Sequence, residues 1–187
     1  MVNPKIHNNI FYVTMTGLFY PAILGAFFYY LLENFIGLTK DWSRVVYIVT
    51  LFAIVVSFSI DFLYTYVTKK FYTLPFFILD CFTLGLLVGG YKNLVDGLKS
   101  NTNIGVFFVC FSIMHILFLV WDTILLPKAY RKPKVILFDS LCILLFFIGY
   151  YYFKTIPLVA VVFLCIYTAI TVIMIWKEVQ DLWAVDN

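Results

Sequence analysis

Charge is what this chain has least of. Asp, Glu, Lys and Arg make up 12% of its 187 residues, about half the share in a soluble globular domain. With 64% hydrophobic residues, one water-soluble core of this size cannot hide the apolar surface, so the solvent is lipid. Length leaves no room for a separate soluble catalytic domain, and no cleavable signal peptide is expected at the N-terminus. Cysteine is sparse and scattered. Cys81, Cys110, Cys142 and Cys165 fall in different apolar runs without CxxC spacing, which argues against a disulfide framework or a zinc site. Histidine is rarer still. Only His115 lies in an apolar run, so paired-histidine haem ligation is excluded and a metal site lacks a second imidazole.

Motifs are missing as well. HExxH, GxSxG and Walker loops are absent, and no Ser-His or Ser-Lys pair stands at a recognisable spacing. The expectation is a non-enzymatic protein without a cofactor. Two close intramembrane Asp can share a proton as an aspartyl dyad, but no flanking motif supports that chemistry here. Nucleic-acid binding has only the basic turn at 128–134 in its favour, and anionic lipid headgroups explain that turn better. Arg is limited to Arg44 and Arg131 beside eleven Lys, and Ala is scarce while Phe (21) and Tyr (14) abound. That bias follows AT-rich codons and points to a bacterial gene, hence to a bacterial inner membrane. The absence of Asn-x-Ser/Thr sequons agrees with it.

What the chain does have is long apolar runs. A helix needs about 20 apolar residues to cross the hydrocarbon, and six runs qualify, at 10–32, 45–68, 71–91, 104–126, 135–153 and 155–176. They are continuous and not alternating, which excludes a β-barrel and leaves helices as the means of satisfying the backbone in lipid. The fold class expected is an all-α polytopic bundle in one domain, 1–187. Short turns at Lys69-Lys70 and at 127–134 demand antiparallel neighbours. Eight Lys and Arg fall on the side shared by both termini and five on the other, which places the N- and C-termini in the cytoplasm. Trp176 and Trp183, seven residues apart on one helical face, are expected to anchor the last helix at the interface. Pro21 should kink the first span, and Ala22, Ala26, Gly85, Gly89 and Gly90 are candidates for close helix approach.

Inside these runs stand four acids: Asp61, Asp80, Asp122 and Asp139. A charge near the bilayer centre costs about 2.5–3.5 kcal/mol on insertion scales, so each needs a reason. They form a repeat of acid, basic turn, acid: Asp61, Lys69-Lys70, Asp80, then Asp122, the Lys128, Arg131, Lys132 and Lys134 turn, Asp139. The repeat suggests two equivalent hairpins. At a rise of 1.5 Å per residue, the acids lie roughly 7–15 Å inside the cytoplasmic interface, where they can share a polar chamber. Asp80 and Asp139 come early in their helices, near the positive dipole end. Asp61 and Asp122 come late, where the dipole opposes them, and so need partners more. Ser57, Asp61, Thr65 and Thr68 form one polar stripe, and Ser112, His115 and Asp122 another. The competing reading is structural: interfacial Asp paired with snorkelling Lys at the turns, or hydrogen-bond glue between helices. His115 is either a structural hydrogen-bonding group or, because histidine titrates near neutral pH, a protonatable partner of Asp122.

These features lead to an oligomeric channel, transporter or ion-responsive membrane protein. Its ion or proton path runs over Asp61 and Asp122, with Asp80, Asp139 and His115 assisting. Lys128, Arg131, Lys132 and Lys134 would touch headgroups or a partner. The rival expectation is a membrane anchor or sensor for a cytosolic effector, for example in anti-phage defence. Topology is testable directly. Cysteine labelling at Lys132 is expected to report cytoplasmic exposure, and labelling at Asn101 the opposite side. Equal external labelling of both would break the six-span arrangement.

Overall fold

The computed structural model describes the backbone of residues 10–36, 42–67, 73–100, 102–125, 131 and 133–186. Within these, the side chains of 10–11, 30–36, 42–44, 61, 64–67 and 178–186 are not described. The two turns with Lys69, Lys70, Lys128 and Lys132 lie outside the described residues. Among the described residues there is no strand, and the helices form six rods. The first joins α1 (Ile10–Thr14), a π-helical turn (Met15–Phe19) and α2 (Tyr20–Ile36). The others are α3 (Trp42–Val67), α4 (Leu74–Ser100), α5 (Gly105–Val120) continued by a second π-helical turn (Trp121–Leu125), α6 (Pro133–Phe153) and α7 (Pro157–Asp186).

Five stretches are long and apolar enough to cross a membrane: Tyr12–Tyr29, Leu74–Ser100, Gly105–Leu125, Pro133–Phe153 and Pro157–Lys177. Among the described side chains of α3, Val45–Ile60 form a further apolar stretch. Polarity is distributed as lipid requires. Leu137, Leu141, Leu144, Phe147, Ile166 and Ile173 point outward, while Thr50, Ser57, Asp80, Thr83, His115, Asp122, Asp139, Thr168 and Thr171 are buried. The exterior is apolar like the core, and the buried polar residues sit within a largely aromatic and aliphatic interior. The chain is a multi-pass integral membrane protein.

Pro21 acts one turn earlier than a simple kink. Lacking an N–H, it cannot complete the α-helical ladder, and just before it the backbone widens so that the Tyr20 N–H bonds the Met15 carbonyl. Met15 and Tyr20 are thereby turned into the core. The third rod runs beyond its apolar run. Lys92 and Lys99 are helical and not in a loop, because Leu94 and Gly97 remain buried and extend the packing face. Lys92 pairs with Asp96 at 2.6 Å, and Lys99 sits over the Tyr47 ring at 5.0 Å. Where α4 gives way to α5, Asn103 Oδ1 accepts the Gly105 N–H at 2.7 Å and Asn93 Oδ1 accepts the Phe107 N–H at 3.0 Å. The Ile104 N–H donates to the Lys154 carbonyl at 2.8 Å, tying that turn to the break between α6 and α7. Pro157 opens α7, a first-turn position where its missing N–H costs nothing.

The two acid-bearing hairpins are not packed alike, so the repeat does not extend to structure. Helices α5 and α6 lie against one another along their length, whereas α3 packs chiefly on α7 and only slightly on α4. Small residues explain part of the difference. A Cβ at Gly149 on α6 would overlap the Phe108 ring of α5. Gly90 on α4 faces Cys110 and Phe111 in the same way, with a Cβ falling 3.2 Å from that of Cys110. Gly85 meets nothing within 4 Å, and Ala22 and Ala26 are exposed, so those three do not mark close approaches. Gly149→Ala is therefore expected to destabilise the protein by about 1–3 kcal/mol, the usual cost of overpacking. Gly85→Ala should leave stability unchanged. Equal melting temperatures for the two variants in nanodiscs would refute the close-approach account.

Candidate functional site

The buried polar residues are not spread evenly through the bundle. Asp80 from α4, His115 from α5, Trp121 and Asp122 from the second π-helical turn, and Asp139 from α6 line one cavity of about 90 Å³. Ser57 of α3 and Tyr167 and Thr171 of α7 complete its polar wall, with Tyr91, Met114, Phe118 and Phe138 among the apolar and aromatic neighbours. His115 is wholly buried, and Asp139, Asp80 and Asp122 are 3%, 4% and 6% exposed.

The centre of the site is a single ionic hydrogen bond. His115 Nδ1 lies 2.8 Å from Asp139 Oδ1. With the carboxylate accepting, Nδ1 carries the proton, and in the neutral ring Nε2 is left with a lone pair. Rings fix the imidazole in place. Phe146 stacks on it with centroids 5.8 Å apart and planes 15° from parallel, while Tyr167 (5.3 Å) and Phe118 (5.7 Å) meet it edge-on. The outer atoms of the pair are left over. His115 Nε2 and Asp139 Oδ2 are buried with no hydrogen-bond partner among the described residues, and so is the Trp121 indole N–H.

The π-helical turn at Trp121–Leu125 brings Trp121 and Asp122 to the wall together, both buried. It begins where the Trp121 N–H is shared between the Leu117 and Phe118 carbonyls. Thr123 then donates its hydroxyl to the Leu119 carbonyl, four residues back. A side chain that bonds a helical carbonyl competes with the backbone ladder and bends it, and wide turns of this kind often occur at functional positions. On the far wall Ser57 and Thr168 hydroxyls are 3.1 Å apart, joining α3 to α7.

The acids assigned from sequence thus divide differently in space. Asp80, Asp122 and Asp139 share the cavity with His115, irrespective of the helix end from which they come. The partner of His115 is Asp139 and not Asp122, because α6 lies directly against α5 and presents Asp139 at the imidazole. Asp61 is on α3, but its side chain lies outside the described residues, as do those of Thr65 and Thr68. In the second stripe His115 and Asp122 reach the cavity and Ser112 does not. Of the basic turn, Lys128 and Lys132 lie outside the described residues. Arg131 directs Nη2 to the Ile124 carbonyl at 3.4 Å, and Lys134 is exposed on the first turn of α6. Trp176 is exposed on α7, and the side chain of Trp183 is not described. Trp121, Tyr167 and Thr171 were not singled out by sequence; among so many aromatics no periodicity distinguishes those that face a cavity.

Asp80, Asp122 and Asp139 are all buried within a single chain. Among the described residues no three His, Cys, Asp or Glu side chains converge as a metal would require. No protein-family model, curated protein or solved structure matches this chain.

The pair can be tested by a double-mutant cycle. Asp139→Asn keeps an oxygen to accept the Nδ1–H and should remain near parental stability. Asp139→Leu strands a buried donor and should lose roughly 1–3 kcal/mol. The double variant His115→Phe with Asp139→Leu should recover most of that loss, since removing both partners is nearly neutral. Additive losses in thermal unfolding would show that the pair contributes no coupling.

Proposed function

We propose that this protein conducts, transports or responds to a small cation at a site inside the membrane, without catalysing a reaction. The observation that carries this reading is the convergence of Asp80, Asp122, Asp139 and His115 on one cavity. Intramembrane carboxylates are costly, and structural glue would be expected to use each in its own helix contact. Three acids from different segments around one space instead resemble an ion or proton path. The volume is compatible with this role: one water needs about 10–15 Å³ on this measure, so about 90 Å³ admits several waters or a small cation with part of its shell. Protonation of a carboxylate or the imidazole is the natural means by which a passing charge is compensated.

In this reading both termini face the cytoplasm, the cavity lies in the cytoplasmic half of a bacterial inner membrane, and the exposed Lys134 sits at the headgroups. The test is flux into liposomes containing the purified protein, followed with pH- and potential-sensitive dyes. Asp80→Asn, Asp122→Asn and Asp139→Asn should each remain folded and lose flux on the order of tenfold, about 1.4 kcal/mol of barrier. Full flux in all three would eliminate the reading. The absence of any cation flux, with a stoichiometric soluble protein recovered from native membranes, would favour the anchor role instead.

A further inference from the structure

The cavity has a chemical signature narrower than that of a general cation path. Three buried polar atoms are left without hydrogen-bond partners among the described residues: Asp139 Oδ2, His115 Nε2 and Trp121 Nε1–H. Their residues all line the same space. The first two are an anionic acceptor and, in the neutral ring, a lone-pair acceptor; the third can only donate. A ligand that satisfies them needs N–H or O–H donors at one end and an oxygen acceptor at the other.

Charge and walls restrict it further. Carboxyl side chains of Asp80, Asp122 and Asp139 line the cavity, a setting that suits a cation better than an anion. Much of the remaining wall is aromatic: Tyr91, Phe118, Trp121, Phe138 and Tyr167. Ring faces attract ammonium groups but supply none of the oxygen ligands, six or more, that Ca²⁺ or Mg²⁺ takes. Size sets the length. A volume of about 90 Å³ is below the roughly 150 Å³ that admits benzene, which favours a short chain of a few non-hydrogen atoms.

We propose that this cavity binds a short-chain ammonium ion bearing a terminal hydroxyl. Its N–H groups meet Asp139 Oδ2 and His115 Nε2, its methylenes lie against the rings, and its hydroxyl oxygen accepts from Trp121. The inference rests on the cation reading above and names its ligand. The chemistry is that of free ethanolammonium; in phosphatidylethanolamine the same oxygen is esterified to an anionic phosphate and is no longer a hydroxyl.

The full-length protein in phosphatidylglycerol nanodiscs, titrated with radiolabelled ethanolammonium, tests it. Saturable binding is expected, competed by excess unlabelled ethanolammonium and not by sodium at equal ionic strength. Propylammonium has the same size but lacks the oxygen, and should compete about 3- to 10-fold less well, the loss of one neutral hydrogen bond. Trp121→Phe keeps a ring and removes the N–H, so it should abolish that preference. Asp139→Asn should weaken binding about 10- to 100-fold, the loss of a charge-assisted bond. Nanodiscs containing phosphatidylethanolamine should leave this binding unaltered, and displacement of the ion by that lipid would overturn the assignment to free ethanolammonium. No saturable binding to the parent protein overturns the inference, as does a Trp121→Phe variant that keeps the preference for the hydroxyl. Binding without flux leaves the site in place and removes the transport reading. Proton or sodium flux without ethanolammonium binding does the reverse.

Discussion

Everything in this structure follows from a solvent that cannot hydrogen-bond. In hydrocarbon a carboxylate or a stranded N–H has no water to turn to, so polar groups must find one another inside the bundle. Hydrophobic burial, which sorts residues in soluble proteins, gives no direction here, since lipid tails are as apolar as Leu. Shape and polarity take over. Close approach at Gly149 brings α6 against Phe108 of α5, and the same helix pair then sets Asp139 2.8 Å from His115. The ionic bond depends on a glycine ten residues away on the same helix. The rings around the imidazole lower the local dielectric and so strengthen the bond while raising the cost of leaving any part of it unsatisfied.

The same constraint explains what the amino-acid sequence made legible. Continuous apolar runs interrupted by basic turns have one structural solution, and the all-α bundle of about six helices was readable for that reason. The four acids stood out because lipid tolerates none without cause. Their grouping was not readable. Helix dipoles separate Asp61 and Asp122 from Asp80 and Asp139, but a dipole acts within one helix, and the site is made between helices. Which helix touches which is decided by side-chain shape: Gly149 against Phe108, Ser57 against Thr168. Those pairs leave no periodic mark in a chain so uniformly apolar. The hairpin repeat misled for the same cause, since matching charges at two turns do not impose matching packing on the helices beyond them.

Irregular backbone was the second thing that pattern could not supply. Both π-helical turns fall inside uninterrupted apolar runs. One has a visible trigger in Pro21. The other has Thr123, whose hydroxyl bonds the Leu119 carbonyl, a role that many membrane-helix threonines perform without widening the turn. In this chain Thr16, Thr50, Thr83 and Thr171 make the same four-residue back-bond. Of these, only Thr16 also lies in a widened turn. The bond is therefore permissive and not sufficient; the packing of Trp121 against Phe76, with ring centroids 4.3 Å apart, supplies the remaining constraint by holding the indole inward.

A bundle optimised for stability alone would not keep this interior. Replacing both partners of a buried hydrogen bond by apolar groups of the same shape is often nearly neutral or stabilising, and each polar atom left unsatisfied costs roughly 1–3 kcal/mol. His115, Asp139 and Trp121 each leave one such atom at the cavity, while the surrounding rings could close over a Leu and a Phe without loss. Holding helices together does not require the second imidazole nitrogen, the second carboxylate oxygen or the indole N–H to face the same space. Water, a ligand or a passing ion in that space can meet them. Unused hydrogen-bonding capacity is the feature on which the proposed site rests, and among the described residues it lies on α5, α6 and the widened turn that follows α5.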